Sequence, residues 1–254
     1  MIATHDFIRG IILAGYALLF YKLLIHAKLD HFIAPKMFIY IYFAFFAFLL
    51  LSSLLIAGSR RNSVEQARQD CDCEGGHYYP SSLLASISVY ALFTIPLAVG
   101  FLFSDHVLHS DSAENRSIQL SYNKPPESSQ LLLGESREII LHDDHFLGSL
   151  YLINQHQQKL QGSVIEVKGF IYRDSHIKGD FAAIARFGLS CCTADASVYG
   201  ILIADPEIES IERDTWVIAK GTLSQANVSG KLVPLLIHPV IHVIEMPKRP
   251  YVSE

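Results

Sequence analysis

Two adjacent cysteines and an aspartate form the densest group of reactive side chains in the sequence. They are Cys191, Cys192 and Asp195, and they follow Arg186 in a glycine-bounded stretch that ends at Gly200. Thiolates and carboxylates bind soft or borderline metal ions such as zinc, and paired thiols also exchange with external redox couples. We therefore treat Arg186, Cys191, Cys192 and Asp195 as candidate binding residues.

Three interpretations of this group are open. In the structural one, Cys192 faces a β-domain interior as a small apolar side chain, Asp195 organises the following turn, and Arg186 pairs with Asp195. In the second, Cys192 and Asp195, with or without Cys191, contact a soft metal or metalloid. This needs a turn or a vicinal disulfide, because adjacent side chains of an extended strand point to opposite faces. In the third, the thiols are redox-active.

The sequence supplies no set of side chains for hydrolysis. No histidine lies close to the cysteine pair along the chain, so a thiol nucleophile would have no neighbouring base. We identify no catalytic residues and expect a non-enzymatic protein.

A second thiol-containing segment lies in the polar stretch 59–82. Cys71, Cys73 and His77 there offer two sulfurs and one imidazole, which suits zinc or another soft metal ion as a cofactor. An adjacent carboxylate would supply a fourth ligand. The alternative is a loop whose reduced thiols bind nothing specific, because three ligands on a glycine-containing segment form a weak site.

Three long apolar runs precede the cysteine pair, at about 8–25, 37–57 and 83–103. Each approaches the roughly 20 residues that cross a hydrocarbon core, so the sequence predicts three transmembrane helices and a multi-pass protein of the cell membrane. A cleaved signal peptide is the alternative for the first run. It fits poorly, because no basic cluster precedes that run and no small-residue cleavage pattern follows it.

Charge placement gives an orientation and excludes one class of partner. Arg60 and Arg61 directly follow the second run, which favours a cytoplasmic N-terminus and an extracytoplasmic C-terminal part. Residues 104–254 hold 19 acidic against 13 basic side chains. Because such a domain repels phosphate backbones, we expect the lipid bilayer but no nucleic acid among the partners.

Beyond the membrane domain 1–103, the composition predicts a linker over 104–136 and a β domain over 137–254. In the β domain, one Asp of 142–145 is expected to cap a helix that buries Phe146, Leu150 and Ile153. Five predicted strands follow: Val164–Tyr172, Phe181–Ser190, Val198–Ala204, Thr215–Thr222 and Leu232–Glu245. Gly169 in the first strand predicts a bend or a bulge, and Pro234 and Pro239 predict that the last strand lies at an edge.

The fold class is thus an α-helical membrane anchor of three helices plus a small all-β, OB-like barrel domain preceded by one helix. A β-sandwich is the alternative.

Several blocks of the sequence resemble the YcgQ-type bacterial membrane proteins. The blocks are Gly169–Tyr172, Arg186–Gly188, Cys192–Asp195, Val198–Gly200, Trp216 with Lys220–Thr222, and Pro250–Tyr251. The resemblance implies the smaller subunit of a two-component permease, paired with a larger permease subunit related to arsenical transporters. It implies no catalytic residues. Relatives of this type have a longer tract of His, Asp and Cys where this chain has only Cys71, Cys73 and His77.

We accordingly expect an accessory subunit whose exterior β domain captures solute or gates the permease. The alternative is a stand-alone metal-binding or metal-sensing membrane protein that uses cysteine ligands.

Overall fold

The structure is a computed structural model of the 254-residue chain. It describes residues 2–26, 28–61, 83–103, 107–111, 118–120, 122, 138–173, 181–228 and 230–253. The chain divides into two compact units, one comprising Met1–Leu29 with Lys36–His106 and the other Asp30–Pro35 with Val107–Glu254. The short connector Asp30–Pro35 therefore belongs to the second unit, although it joins the first two helices along the chain.

The first unit contains three apolar helices: α1 (Ile2–Ile25), α2 (Phe38–Arg61) and α3 (Leu83–Leu102). Each is long and apolar enough to cross a membrane, which confirms the three predicted helices. Most large apolar side chains of α2 and α3 are exposed, as in helices that face lipid. The protein is therefore a membrane protein.

Small residues bring these helices close together. Ser52 on α2 donates a hydrogen bond of 2.9 Å to the carbonyl of Gly10 on α1. A Cβ atom added at Gly100 on α3 would lie 2.7 Å from Leu19 Cδ2 on α1. Such contacts are typical of helix packing in membranes, where small residues allow close approach of the backbones.

The second unit is a mixed seven-stranded sheet with two short helices. Its strands are β1 (Glu138–Ile140), β2 (Val164–Tyr172), β3 (Phe181–Leu189), β4 (Ser197–Ala204), β5 (Trp216–Val228), β6 (Lys231–Val243) and β7 (Tyr251–Ser253). Helices α4 (Phe146–Gln155) and α5 (Gln157–Leu160) lie between β1 and β2, where one helix was expected. Phe146, Leu150 and Ile153 of α4 are buried as predicted.

The strand order is β1-β2-β5-β6-β4-β3-β7, with an additional pairing between β2 and β3. Five of the strands thus form a set in which each strand pairs with two others of the set: β2, β5, β6, β4 and β3. Four of the pairings are antiparallel, whereas β1–β2, β3–β7 and β4–β6 are parallel. The core contains alternating side chains from these strands together with the apolar face of α4.

Gly169 lies where β2 changes partners. Before it β2 pairs with β5, and from Phe170 onward it also pairs with β3. A Cβ atom at Gly169 would lie 2.5 Å from the carbonyl oxygen of Ala185 on β3. Only glycine permits this approach. The register of β2 against β5 continues through Gly169 without a shift, so this glycine allows close contact with β3 and does not form a bulge.

The prediction that the last strand is an edge is wrong, because β6 lies between β5 and β4. Its pairing with β4 covers only Leu235–Ile237, so neither proline lies in that ladder. Pro239 lies at a register shift against β5, next to His238 with a φ of 50°. A β-bulge accommodates a proline inside a sheet because the ladder is already interrupted there.

Candidate functional site

Arg186 lies in the middle of β3 and is completely buried. Its guanidinium donates to Asp143 Oδ1 at 2.6 Å, to the carbonyl of Arg249 at 3.1 Å and to that of Pro250 at 3.2 Å. It also lies over the ring of Trp216, 5.1 Å from the centroid. Arg186 therefore fastens β3 to the segment before α4 and to the C-terminal tail.

The expected pairing of Arg186 with Asp195 is wrong. The partner is Asp143, which also accepts a 2.6 Å hydrogen bond from Lys168. Burial alone would raise the pKa of Asp143, but hydrogen bonds and charge from Lys168 and Arg186 outweigh it and hold that pKa below its usual value. Burial lowers the pKa of Arg186, and the Asp143 carboxylate opposes that shift.

The predicted aspartate cap of the first domain helix is also wrong. Asp143 and Asp144 form a short 3₁₀ turn with His145, and no side chain caps the N-terminus of α4. Asp143 instead neutralises a buried arginine, which is a more demanding role because an unpaired buried charge is costly.

The cysteine pair lies beyond the end of β3, where the chain bends at Cys191 and Cys192 precedes a short 3₁₀ turn. Strand β3 ends at Leu189, and Thr193–Asp195 form a 3₁₀ turn directly after Cys192. Both cysteines carry free thiols, and their sulfurs lie 3.6 Å apart. Both sulfurs can therefore reach one ligand, which an extended strand would not allow. Cys192 is half-buried at the surface, so its expected place in the domain interior is wrong.

Asp195 organises this turn through the backbone that precedes it. Its carboxylate accepts hydrogen bonds from the N–H groups of Ser190 at 3.0 Å, Cys191 at 2.7 Å and Cys192 at 3.4 Å. Burial alone would raise the pKa of Asp195, but hydrogen bonds from the Cys191 side chain and from these N–H groups lower it. Asp195 is thus a stable anion beside two thiols.

The Cys191 thiol is held in its protonated form by this anion. A side-chain hydrogen bond to Asp195, with a further contribution from Cys192, raises the pKa of Cys191 to about 11. Because the thiolate is the nucleophile, such a thiol is a poor attacking group at neutral pH.

The connector Asp30–Pro35 forms the other side of the turn. Ala34 donates its N–H to the carbonyl of Cys191 at 3.0 Å, and Thr193 donates to the carbonyl of Phe32 at 2.9 Å. Ile33 and Cys192 are consequently opposed as an antiparallel pair. No local pattern indicated this contact, because the two segments lie far apart along the chain and neither shows strand periodicity.

Among the described residues, one group of His, Cys, Asp or Glu side chains has ligand atoms close enough to share a metal ion. It consists of Cys191, Cys192 and Asp195, whose ligand atoms lie within 4.8 Å of one another. Arg186 does not take part, because it is buried with Asp143. The other predicted metal ligands, Cys71, Cys73 and His77, lie outside the described residues.

Comparison with known proteins extends over both units. The chain is 28% identical to the Bacillus subtilis UPF0703 protein YcgQ over 192 residues, which cover 65% of this chain and 67% of that protein. It is 25% identical to a Streptococcus mutans protein provisionally named a two-component membrane permease complex subunit, over 96% of this chain and 98% of that protein. No solved structure matches the chain significantly.

Two family models match consecutive parts of the sequence. The DUF1980 N-terminal domain matches residues 8–119, and the DUF1980 C-terminal domain matches residues 118–254. The second match includes Asp143, Arg186 and the cysteine turn, and together the two matches cover nearly the whole chain. The chain therefore belongs to the DUF1980 family, as a homologue of YcgQ.

Proposed function

We propose that the protein is a non-enzymatic accessory subunit of a two-component membrane permease complex. The observation that carries this proposal is the similarity, over almost the full length of both chains, to the S. mutans protein named as such a subunit. In the proposed complex α1, α2 and α3 anchor the chain in the bilayer. The β domain captures solute or gates the permease from the extracytoplasmic side.

The composition of the helices supports dependence on a second subunit. No Asp, Glu, Lys or Arg lies in the central parts of α2 or α3. Because ion and solute pathways through membranes are usually marked by charged or polar side chains, these helices offer little for a pathway of their own. We propose that the partner is the larger permease subunit, of the arsenical-permease-like kind that the resemblance implies.

The cysteine turn supports a non-enzymatic role. A thiol whose pKa is about 11 reacts slowly, and its carboxylate neighbour Asp195, with a lowered pKa, is a weak base. Neither member of this pair is tuned toward proton transfer near neutral pH.

The proposed orientation has the N-terminus in the cytoplasm and the β domain outside it. It rests on Arg60 and Arg61 at the end of α2. Fusion of alkaline phosphatase after Glu254 tests it, because that enzyme is active only outside the cytoplasm. An active fusion is expected. If the phosphatase fusion were inactive while a C-terminal green fluorescent protein fusion were fluorescent, the proposed orientation would be wrong.

For the β domain we propose an OB-type barrel. The proposal is supported by the cycle of pairings β2-β5-β6-β4-β3-β2, by the parallel β4–β6 pair and by a glycine where β2 changes partners. A cysteine pair introduced at Ile171 and Ile184, which are register partners of β2 and β3, should cross-link on oxidation. Failure to cross-link in a folded protein would argue against closure.

Affinity purification from the native host tests the proposed function. The tagged chain, extracted in mild detergent, is expected to retain a larger polytopic membrane protein encoded beside it. The matched control is the same tag on an unrelated three-helix membrane protein. Recovery of the chain as a stable monomer with no polytopic partner would contradict the proposal.

A further inference from the structure

We propose that Cys191, Cys192 and Asp195 form a binding site for a thiophilic divalent cation of the zinc and cadmium class. The ligands are two sulfurs and one carboxylate oxygen, and the fourth coordination position remains open to water or to a transported ligand. This inference rests on the chain alone and is independent of the proposed complex.

The distances between the ligand atoms fit such an ion. A tetrahedral zinc with Zn–S bonds of about 2.3 Å holds two sulfurs about 3.8 Å apart. The sulfurs of Cys191 and Cys192 lie 3.6 Å apart. The carboxylate oxygen of Asp195 lies within 4.8 Å of both sulfurs. A movement of at most about one ångström closes the site, and rotation of the cysteine side chains provides it while the carboxylate keeps its hydrogen bonds.

The turn is already held in the shape that the ion requires. Asp195 accepts hydrogen bonds from three backbone N–H groups, which fix the carboxylate and leave about one of its four lone-pair positions for a cation. Hydrogen bonds of this kind orient the ligands of natural metal sites. On the other side, Ala34 and Phe32 bond to the backbone of Cys191 and Thr193. Little conformational entropy is therefore lost on binding.

A cation fits this pair better than a disulfide does. Adjacent Cα atoms are about 3.8 Å apart across a trans peptide, whereas disulfides usually join Cα atoms about 4.4–6.8 Å apart. Binding of the cation displaces the two thiol protons to solvent, including the one that Cys191 shares with Asp195. M²⁺ thus replaces two H⁺, and no oxidant is needed.

The site is open and lies in an attractive field. Cys191 and Asp195 are exposed, so a cation can enter directly. The C-terminal part of the chain from residue 104 carries an excess of acidic side chains, which raises the local concentration of cations.

Binding should also stabilise the connector between α1 and α2. The N–H of Ala34 donates to the carbonyl of Cys191, so an ion that fixes Cys191 slows exchange of the Ala34 amide. A cation that merely adhered to exposed thiols elsewhere would not have this effect.

The test uses the purified full-length chain in detergent, with Cys71→Ser and Cys73→Ser to remove the other two cysteines. Titration with Cd²⁺ is followed by the ultraviolet charge-transfer band of cadmium thiolates and by hydrogen exchange of a peptide covering 30–35. We expect one equivalent of Cd²⁺, a thiolate band and slower exchange in that peptide. Further substitution of Cys191→Ser or Cys192→Ser should abolish the band, and Asp195→Asn should weaken binding by about tenfold or more.

Each variant is checked for folding without metal by the fluorescence of Trp216, the single tryptophan. Asp144→Asn, at an exposed carboxylate outside the turn, is the matched control for Asp195→Asn. Absence of the band in the background protein would overturn the proposal. So would a band that survives both cysteine substitutions, or a band formed without slower exchange at 30–35.

Discussion

Substitution of Asp143 by asparagine tests the most demanding electrostatic contact of the β domain. Asp143→Asn keeps the size of the side chain but removes the charge that neutralises Arg186. The guanidinium of Arg186 has no exposed surface, whereas the Asp143 side chain is 30% exposed. The substitution therefore leaves a buried cation without its counter-ion.

The expected cost is about 2–3 kcal/mol of unfolding free energy. Removing one partner of a fully buried pair costs about 3–5 kcal/mol. We reduce that range because Asp143 is partly solvated and because Arg186 keeps the carbonyls of Arg249 and Pro250 and the ring of Trp216.

Denaturant unfolding followed by Trp216 fluorescence measures this cost, because Trp216 is the single tryptophan and contacts Arg186. The matched control is Asp144→Asn, at the exposed neighbouring position, which should change stability by no more than about 0.5 kcal/mol. If Asp143→Asn were no more destabilising than Asp144→Asn, the assignment of Asp143 as the counter-ion of Arg186 would be refuted.

Three further predictions follow from the same contacts. Folding lowers the pKa of Asp143 and that of Asp195, so their contribution to stability is complete above about pH 4 and is lost as pH falls further. In acid denaturation the Asp143→Asn variant should therefore lose less stability than the wild type. Alkylation of Cys191 by iodoacetamide, measured by peptide mass spectrometry, should accelerate in Asp195→Asn because the pKa of about 11 then falls, and an unchanged rate would show that Asp195 does not hold the proton. Gly169→Ala should lower the unfolding free energy of the domain by about 1–3 kcal/mol, because its Cβ would lie 2.5 Å from a backbone oxygen. Gly221→Ala, where the nearest atom is 3.1 Å away, should lower it less. Equal losses in the two variants would contradict the close approach of β2 to β3.

Patterns local to one segment could be predicted from the sequence. The alternation of Val164–Tyr172 defined β2 to the residue, and the apolar runs defined three membrane-length helices. In both cases a single face or run of side chains reports its own environment. The three-residue strands β1 and β7 were missed, because segments so short carry no periodicity and exist only through their partners.

Contacts between distant segments could not be predicted. Arg186 and Asp195 lie in the same short stretch of sequence, which suggested their pairing, but folding of β3 against the segment before α4 brings Asp143 to Arg186 instead. The turn at Cys191 and Cys192 depends on the connector Asp30–Pro35, which no local pattern associates with it. Pairing choices of this kind are decided by tertiary packing and override local propensity.

The mass of the complex extracted from the native membrane tests the central claim most directly. Native mass spectrometry of the tagged chain in mild detergent should show a particle containing the 28.4 kDa chain and one larger polytopic membrane protein in fixed ratio. Particles from native membranes whose masses are only multiples of 28.4 kDa would contradict an accessory subunit of a two-component complex.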